Sequence, residues 1–138
     1  MARLDSCEDN MDDLKVGMKS TLEWEVTEKL ATTRGDFKVF STPSMCLMAE
    51  QACHRMVAPY LKPGQGQVGI VITIRHTAAT PLGKMVRAEV ELTEIDRRRV
   101  AFQVKLFDDV EQVGEVSHER FVIDLEKYTE RLKKKING

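Results

Sequence analysis

Three side chains in this 138-residue chain, Thr42, Glu50 and His76, are the best suited to acid–base or nucleophilic chemistry. Glu50 is the one carboxylate inside "STPSMCLMAEQAC", an otherwise apolar helical stretch. Among apolar side chains a carboxylate must find a partner, reach water or take up a proton. One reading sends Glu50 to solvent or to His54, one turn on. The other makes it a base, a nucleophile or an orienting group. By three-to-four spacing it shares a helical face with Cys46, Leu47, Cys53, His54 and Val57.

Thr42 stands before Pro43, which predicts Thr42 as the N-cap and proline as the first helical residue. A capping hydroxyl satisfies a backbone N–H. The same helix terminus offers free N–H groups and a positive dipole end to a developing oxyanion. The two roles coexist. Eight residues separate Thr42 from Glu50, about 12 Å along a helix axis. A site that uses both needs a bridging group, a spanning substrate or a second subunit.

His76 closes the run Val68, Ile70, Ile72, Ile74, predicted to share one strand face with it. It reads either as a hydrogen-bonded core histidine or as an acid–base group at a pocket mouth, ahead of "TAATPLG". Gly69, after "PGQGQ", marks either a bulge or a close approach of ligand to backbone. His118 and Arg120 fall in phase with Val116 and Val122, as a buried ion pair or as a ligand-phosphate contact. Arg97 to Arg99 form a basic turn, and Lys133 to Lys135 suit the negative end of a last helix. Glu50 and His54 supply two metal ligands with no third, so no metal is expected. P-loop, G-x-S-x-G and dinucleotide fingerprints are all missing from the sequence.

The elements that must position these residues follow from periodicity. "STLEWEV" alternates Leu22, Trp24 and Val26 against polar neighbours, a half-buried strand. "KLATTRGDF" reads as a loop. A helix runs from about residue 43 to 60 and breaks at "KPGQGQ". Four strands follow, with "DRRR" and "DDVEQ" as turns, and "LEKYTERLKKK" closes the chain as a charged helix. Residues 1–15 read as a flexible acidic arm and 16–138 as one domain. A helix apolar nearly all round must be enclosed. The predicted class is therefore α+β: a hotdog fold, a long central helix wrapped by a curved antiparallel sheet of about five strands. Its open edge strand calls for subunit pairing.

Bulk composition narrows the function. A formal net charge of −1 gives no field for nucleic acid or anionic membrane. No segment approaches the length of a membrane span, and the N-terminus lacks a signal-peptide core. Three cysteines with no C-x-x-C pair suit a reducing compartment, so the expected location is cytoplasmic.

The stretch "VFSTPSMCLMAEQACHRMVAPYLKPGQGQVGIVITIRHTAATPLG", with "VELTEIDRRRVAFQVKLFDDVEQVGEVSHERFVIDLEK", resembles the fluoroacetyl-CoA thioesterase family of bacterial hotdog acyl-CoA thioesterases. The likeness spans roughly residues 39 to 128 and rests on the Thr and Glu eight apart, "VG", "HTAATP" and "HER". It implies Thr42, Glu50 and His76 as the catalytic set and Gly69 as part of the thioester site. Phe40 and Arg120 join Gly69 as substrate-binding candidates, and Arg120, the Arg97 to Arg99 turn and Lys133 to Lys135 are the expected phosphate contacts for coenzyme A. It further implies a homodimer, with room for a higher oligomer, acting on an acyl-CoA. No cofactor beyond the substrate's own coenzyme A is expected. Family members carry a phenylalanine lid before the helix. Here "EKLATTRGDFKVF" is more polar, with Thr33 and Asp36 at those positions, which puts fluoroacetyl selectivity in question. The expected activity is hydrolysis of a small acyl group from coenzyme A. Two alternatives use the same pocket: a non-catalytic acyl-CoA-binding protein, and a hotdog enoyl-CoA hydratase or dehydratase.

Overall fold

The structure, a computed structural model, describes residues 11–138. Strand β1 (Lys19–Glu25) is followed by a short hairpin, β2 (Ala31–Arg34) and β3 (Phe37–Phe40), and then by helix α1 (Thr42–Val57). Strands β4 (Gln65–His76), β5 (Met85–Asp96), β6 (Arg99–Phe107) and β7 (Gln112–Asp124) lead into helix α2 (Leu125–Asn137). The five long strands form one antiparallel sheet in the order β1-β5-β6-β7-β4, so β1 and β4 are its edges. The hotdog class expected from the sequence is the one observed.

Period-two apolar patterning on β5, β6 and β7 puts Val90, Val104 and Val116 in one cross-strand row, which ends on β4 at Ile74. A parallel row runs Leu92, Phe102, His118, Ile72. Alternation of this kind gives the sheet one apolar face. Helix α1 buries Met45, Met48, Ala49, Ala52, Cys53 and Met56 against it. A Cβ on Gly114 would lie 2.6 Å from the Met45 sulfur, so a larger residue there would displace that side chain.

Four local expectations are corrected. The helix is not enclosed: Leu47, Gln51, His54 and Arg55 face outward, so α1 keeps one open side. Its N-cap is Ser41, whose hydroxyl accepts from the Ser44 amide; Thr42 is the first helical residue and Pro43 the second. "KLATTRGDF" is no loop but most of the β2–β3 hairpin, turned at Gly35 with φ +61°, a left-handed angle that favours glycine. Finally, the register of β4 slips between Gly69 and Val71, so Val68 and Ile70 do not share a face with Ile72, Ile74 and His76. Ile70 is the extra residue of that bulge and is exposed.

Of the acidic arm expected over residues 1–15, residues 1–10 lie outside the described residues. Leu14 is buried in the core. The terminal helix α2 buries none of its residues. Among the described residues no helix is long and apolar enough to cross a membrane.

Candidate active site

Two of the three chemically suited residues meet. The Oγ1 atom of Thr42 lies 2.8 Å from Nδ1 of His76, at the end of the edge strand β4. The α1 N-terminus supplies the threonine and the last residue of β4 the histidine. Their approach is fixed by the segment after His76: Thr80, fully buried, accepts the Phe40 amide at its carbonyl oxygen and donates its hydroxyl to Asp108. That segment also pairs with β3 through Leu82 and Lys38, so the hairpin, the helix start and the end of β4 form one unit. Phe40 is buried and meets the His76 ring edge-on, with centroids 6.4 Å apart.

A cleft of about 310 Å³ opens over this pair, lined among others by Thr32, Arg34, Phe40, Thr42, His76 and Ala79. Burial pushes the His76 imidazole below its usual range, a backbone contact at Ala78 pulling it part of the way back. Its Nε2 atom is buried without a partner among the described residues. With Nδ1 accepting the Thr42 proton, Nε2 carries the ring hydrogen. A hydroxyl beside a neutral imidazole is the arrangement of an activated nucleophile.

Glu50 belongs to a second cluster, two turns along α1. It is half-buried, with Cys46 Sγ 3.9 Å from its Oε1. A Cβ built on Gly69 would stand 3.1 Å from Glu50 Oε2, 3.2 Å from His118 Cε1 and 3.5 Å from an Arg120 nitrogen. The missing side chain of Gly69 is therefore what leaves space at this spot. The bulge at Ile70 turns Gln67 and Gly69, instead of Val68 and Ile70, toward the helix. Gln67 donates to the His54 carbonyl at 3.1 Å and accepts from Arg120 Nε at 2.6 Å.

His118 and Arg120 are both buried, as their phase with the valines required, but they do not form an ion pair with each other. Arg120 donates to His118 Nε2 at 3.1 Å. Because a guanidinium only donates, His118 must accept there and donate from Nδ1 to the Val71 carbonyl, 2.7 Å away. Burial lowers the His118 pKa, with Arg120 adding to the effect. Burial likewise lowers that of Arg120, opposed by Cys53 and Glu50. The arginines of the β5–β6 turn are engaged elsewhere: Arg97 with Asp96, Arg98 with Asp124, Arg99 with Glu94 and Glu119.

Sequence reasoning named Thr42, His76, Phe40, Glu50, Gly69, His118 and Arg120, but not Gln67, nor Thr80 and Asp108 behind the cleft. The signal for Gln67 lay in the glycines of "GQGQVG", which permit the bulge that reverses the strand's phase. The expected partnership of Glu50 with Thr42 and His76 is not made within one chain. No group of three or more His, Cys, Asp or Glu placed to hold a metal occurs among the described residues.

Comparison with known proteins gives a consistent picture. A family model described as FlK, fluoroacetyl-CoA-specific thioesterase, matches residues 17–126. The fluoroacetyl-CoA thioesterase of Streptantibioticus cattleyicolor is 43% identical over 98 residues, 71% of this chain and 70% of that one. The solved structure of FlK superposes with a TM-score of 0.81 at 36% identity, covering 88% of this chain and 97% of that one. A point variant of FlK in complex with fluoroacetate and CoA gives 0.77 at 37% identity, over 83% and 99% of the two chains. A hotdog-like protein from Thermanaerovibrio acidaminovorans shares the fold alone, with a TM-score of 0.84 at 19% identity.

Proposed function

We infer that this chain, which belongs to the FlK family of fluoroacetyl-CoA-specific thioesterases, hydrolyses a small acyl group from coenzyme A using Thr42, His76 and Glu50. It is an acyl-CoA thioesterase. The observation that carries the assignment of residues is the 2.8 Å contact between Thr42 and His76. Thr42 Oγ attacks the thioester carbonyl while His76 takes its proton; the C–S bond breaks and the thiolate leaves with that proton as free coenzyme A. Water then attacks the acyl–Thr42 ester while the same imidazole takes its proton, and the imidazole returns that proton to the departing Thr42 oxygen as the acid leaves. Charge building on the carbonyl oxygen is met by the positive end of the α1 dipole. The scheme uses no metal and no cofactor.

Glu50 enters from a second subunit. Strand β4 is a 12-residue edge whose Ile70 and Val71 are 49% and 48% exposed, a surface that invites pairing. Antiparallel pairing of two β4 strands about a two-fold at Thr73, with Ile70 bulged out of the register, sets Gly69 of one chain opposite the partner's His76. The Glu50 cluster of each protomer then borders the Thr42–His76 cleft of the other. The exposed edge of β4 and the half-open face of α1 both support this homodimer.

Selectivity follows from the mouth of the cleft. Phe37 is 72% exposed at the hairpin tip, while Thr32 and Arg34 border the opening. This polar rim fits a small acyl group without a dedicated fluorine lid. The free thiols Cys46 and Cys53 suit a cytoplasmic enzyme. The test is thiol release over a panel of short acyl-CoAs. Release from at least one member, reduced by about 10²-fold or more in both His76→Ala and Glu50→Ala, is the expected result. Tight binding with no thiol released from any member contradicts it.

A further inference from the structure

Among the residues that line the Thr42–His76 cleft, Arg34 alone carries a charge near neutral pH, since burial keeps the His76 ring neutral. It comes from β2, where Thr32 and Arg34, two residues apart, face the same side of the strand and both line the cleft. The other cation of the hairpin strands, Lys38, is paired with Glu28. Arg34 has no carboxylate within ion-pair distance among the described residues. Its hydrogen bonds leave from Nη1, to the Thr32 hydroxyl at 3.2 Å and the Thr33 carbonyl at 2.8 Å. Nη1 has two hydrogens, so these bonds occupy it fully and fix the plane of the guanidinium. The Nε and Nη2 hydrogens remain, side by side, and that edge matches the two oxygens of a carboxylate.

An acyl-CoA offers two kinds of anion to such an edge: the phosphates of coenzyme A and a carboxylate carried on the acyl chain. The phosphates hang at the far end of the pantetheine arm, whereas Arg34 shares a cleft of about 310 Å³ with the reacting Thr42–His76 pair. The acyl chain is the nearer source. In the homodimer inferred above, the partner's Glu50 and the partner's Arg120 reach this cleft together, one negative and one positive, and so do not cancel the charge of Arg34. We propose that Arg34 determines specificity by selecting short acyl groups that end in a carboxylate, the half-thioesters of dicarboxylic acids. The proposal rests on the reading of this cleft as the acyl site and narrows its substrate class.

The test compares kcat/KM for malonyl-CoA with propionyl-CoA, and for succinyl-CoA with butyryl-CoA, pairs matched in carbon number that differ in the carboxylate. Wild-type enzyme is expected to prefer the carboxylate-bearing member of at least one pair by about tenfold or more. In Arg34→Gln that ratio should fall about tenfold, and Arg34→Lys, which keeps the charge but not the paired donors, should restore only part of it. Because Arg34 is exposed, the wild-type preference should also narrow as salt is raised. A wild-type enzyme with no preference in either pair overturns the proposal and leaves the thioesterase reading standing. So does a preference that survives Arg34→Gln. A loss of equal size for all four substrates in Arg34→Gln puts the guanidinium on the coenzyme A phosphates and overturns the proposal as well. No thiol released from any of the four ends the reading of the cleft as a short-acyl site, and the proposal with it.

Discussion

Thr42 and His76 are 34 residues apart in sequence, and their side chains meet at 2.8 Å. The hydroxyl sits on the first turn of α1 and the imidazole on the last residue of an edge strand. If the hydroxyl is the nucleophile, Thr42→Ala should reduce kcat for short acyl-CoAs by about 10²-fold or more. Thr42→Ser should retain most of it. Because Ser41, not Thr42, caps the helix, Thr42→Ala should leave the melting temperature nearly unchanged. A large loss of stability alongside the loss of rate would point to a structural role instead.

The pH dependence follows from burial of His76, which lowers its pKa from 6.5. The neutral ring is the working base, so activity is lost as pH falls through a value below 6.5. The acid limb of kcat/KM should therefore have its midpoint below 6.5. A midpoint at or above 7 would show the ring stabilised as a cation. Stability should move the same way. Buried His118 also resists protonation, so below 6.5 the unfolded chain binds more protons and the melting temperature falls with pH.

Gly69 has no room for a side chain without displacing its neighbours. Gly69→Ala places a methyl 3.1 Å from Glu50 Oε2 and 3.2 Å from His118. Both must give way. The expected outcome is a fall in kcat/KM of about tenfold or more, with a stability cost of about 1 kcal/mol. Kinetics equal to wild type would remove this wall from the acyl site.

The edge strand offers a test of assembly. Ile70 and Val71 lie at the exposed bulge of β4. Replacing both with lysine puts charges on an edge proposed to pair with its own copy. Size-exclusion or sedimentation measurements should show a monomer, and hydrolysis should be lost with it. A monomeric variant that keeps full activity would mean that one chain builds the whole site.

The sequence made most of the framework legible. Clean alternation on β5 and β6 and the apolar run of α1 sufficed for the strands, the helix and the fold class. Local geometry was less visible. Ser41 and Thr42 are both good capping types, and Pro43 fits the first or second helical position, so the cap was misplaced by one. The β2–β3 hairpin has four-residue strands, too short for alternation to register. The bulge at Ile70 hid Gln67 by reversing strand phase, which no periodicity count detects. The split of the candidate site had only a distance to announce it: eight helical residues between Thr42 and Glu50, more than side chains bridge.

The claim that a complete site draws Thr42 and His76 from one subunit and Glu50 from the other is tested most directly by mixing two inactive variants. Thr42→Ala and Glu50→Ala chains, unfolded together and refolded at equal concentration, form mixed dimers in which one of the two sites is wholly wild type. The predicted result is recovery of about a quarter of the wild-type rate, since random pairing makes about half of the dimers mixed. No recovery, with mixed dimers shown to be present, would contradict the account and return Glu50 to its own chain's site.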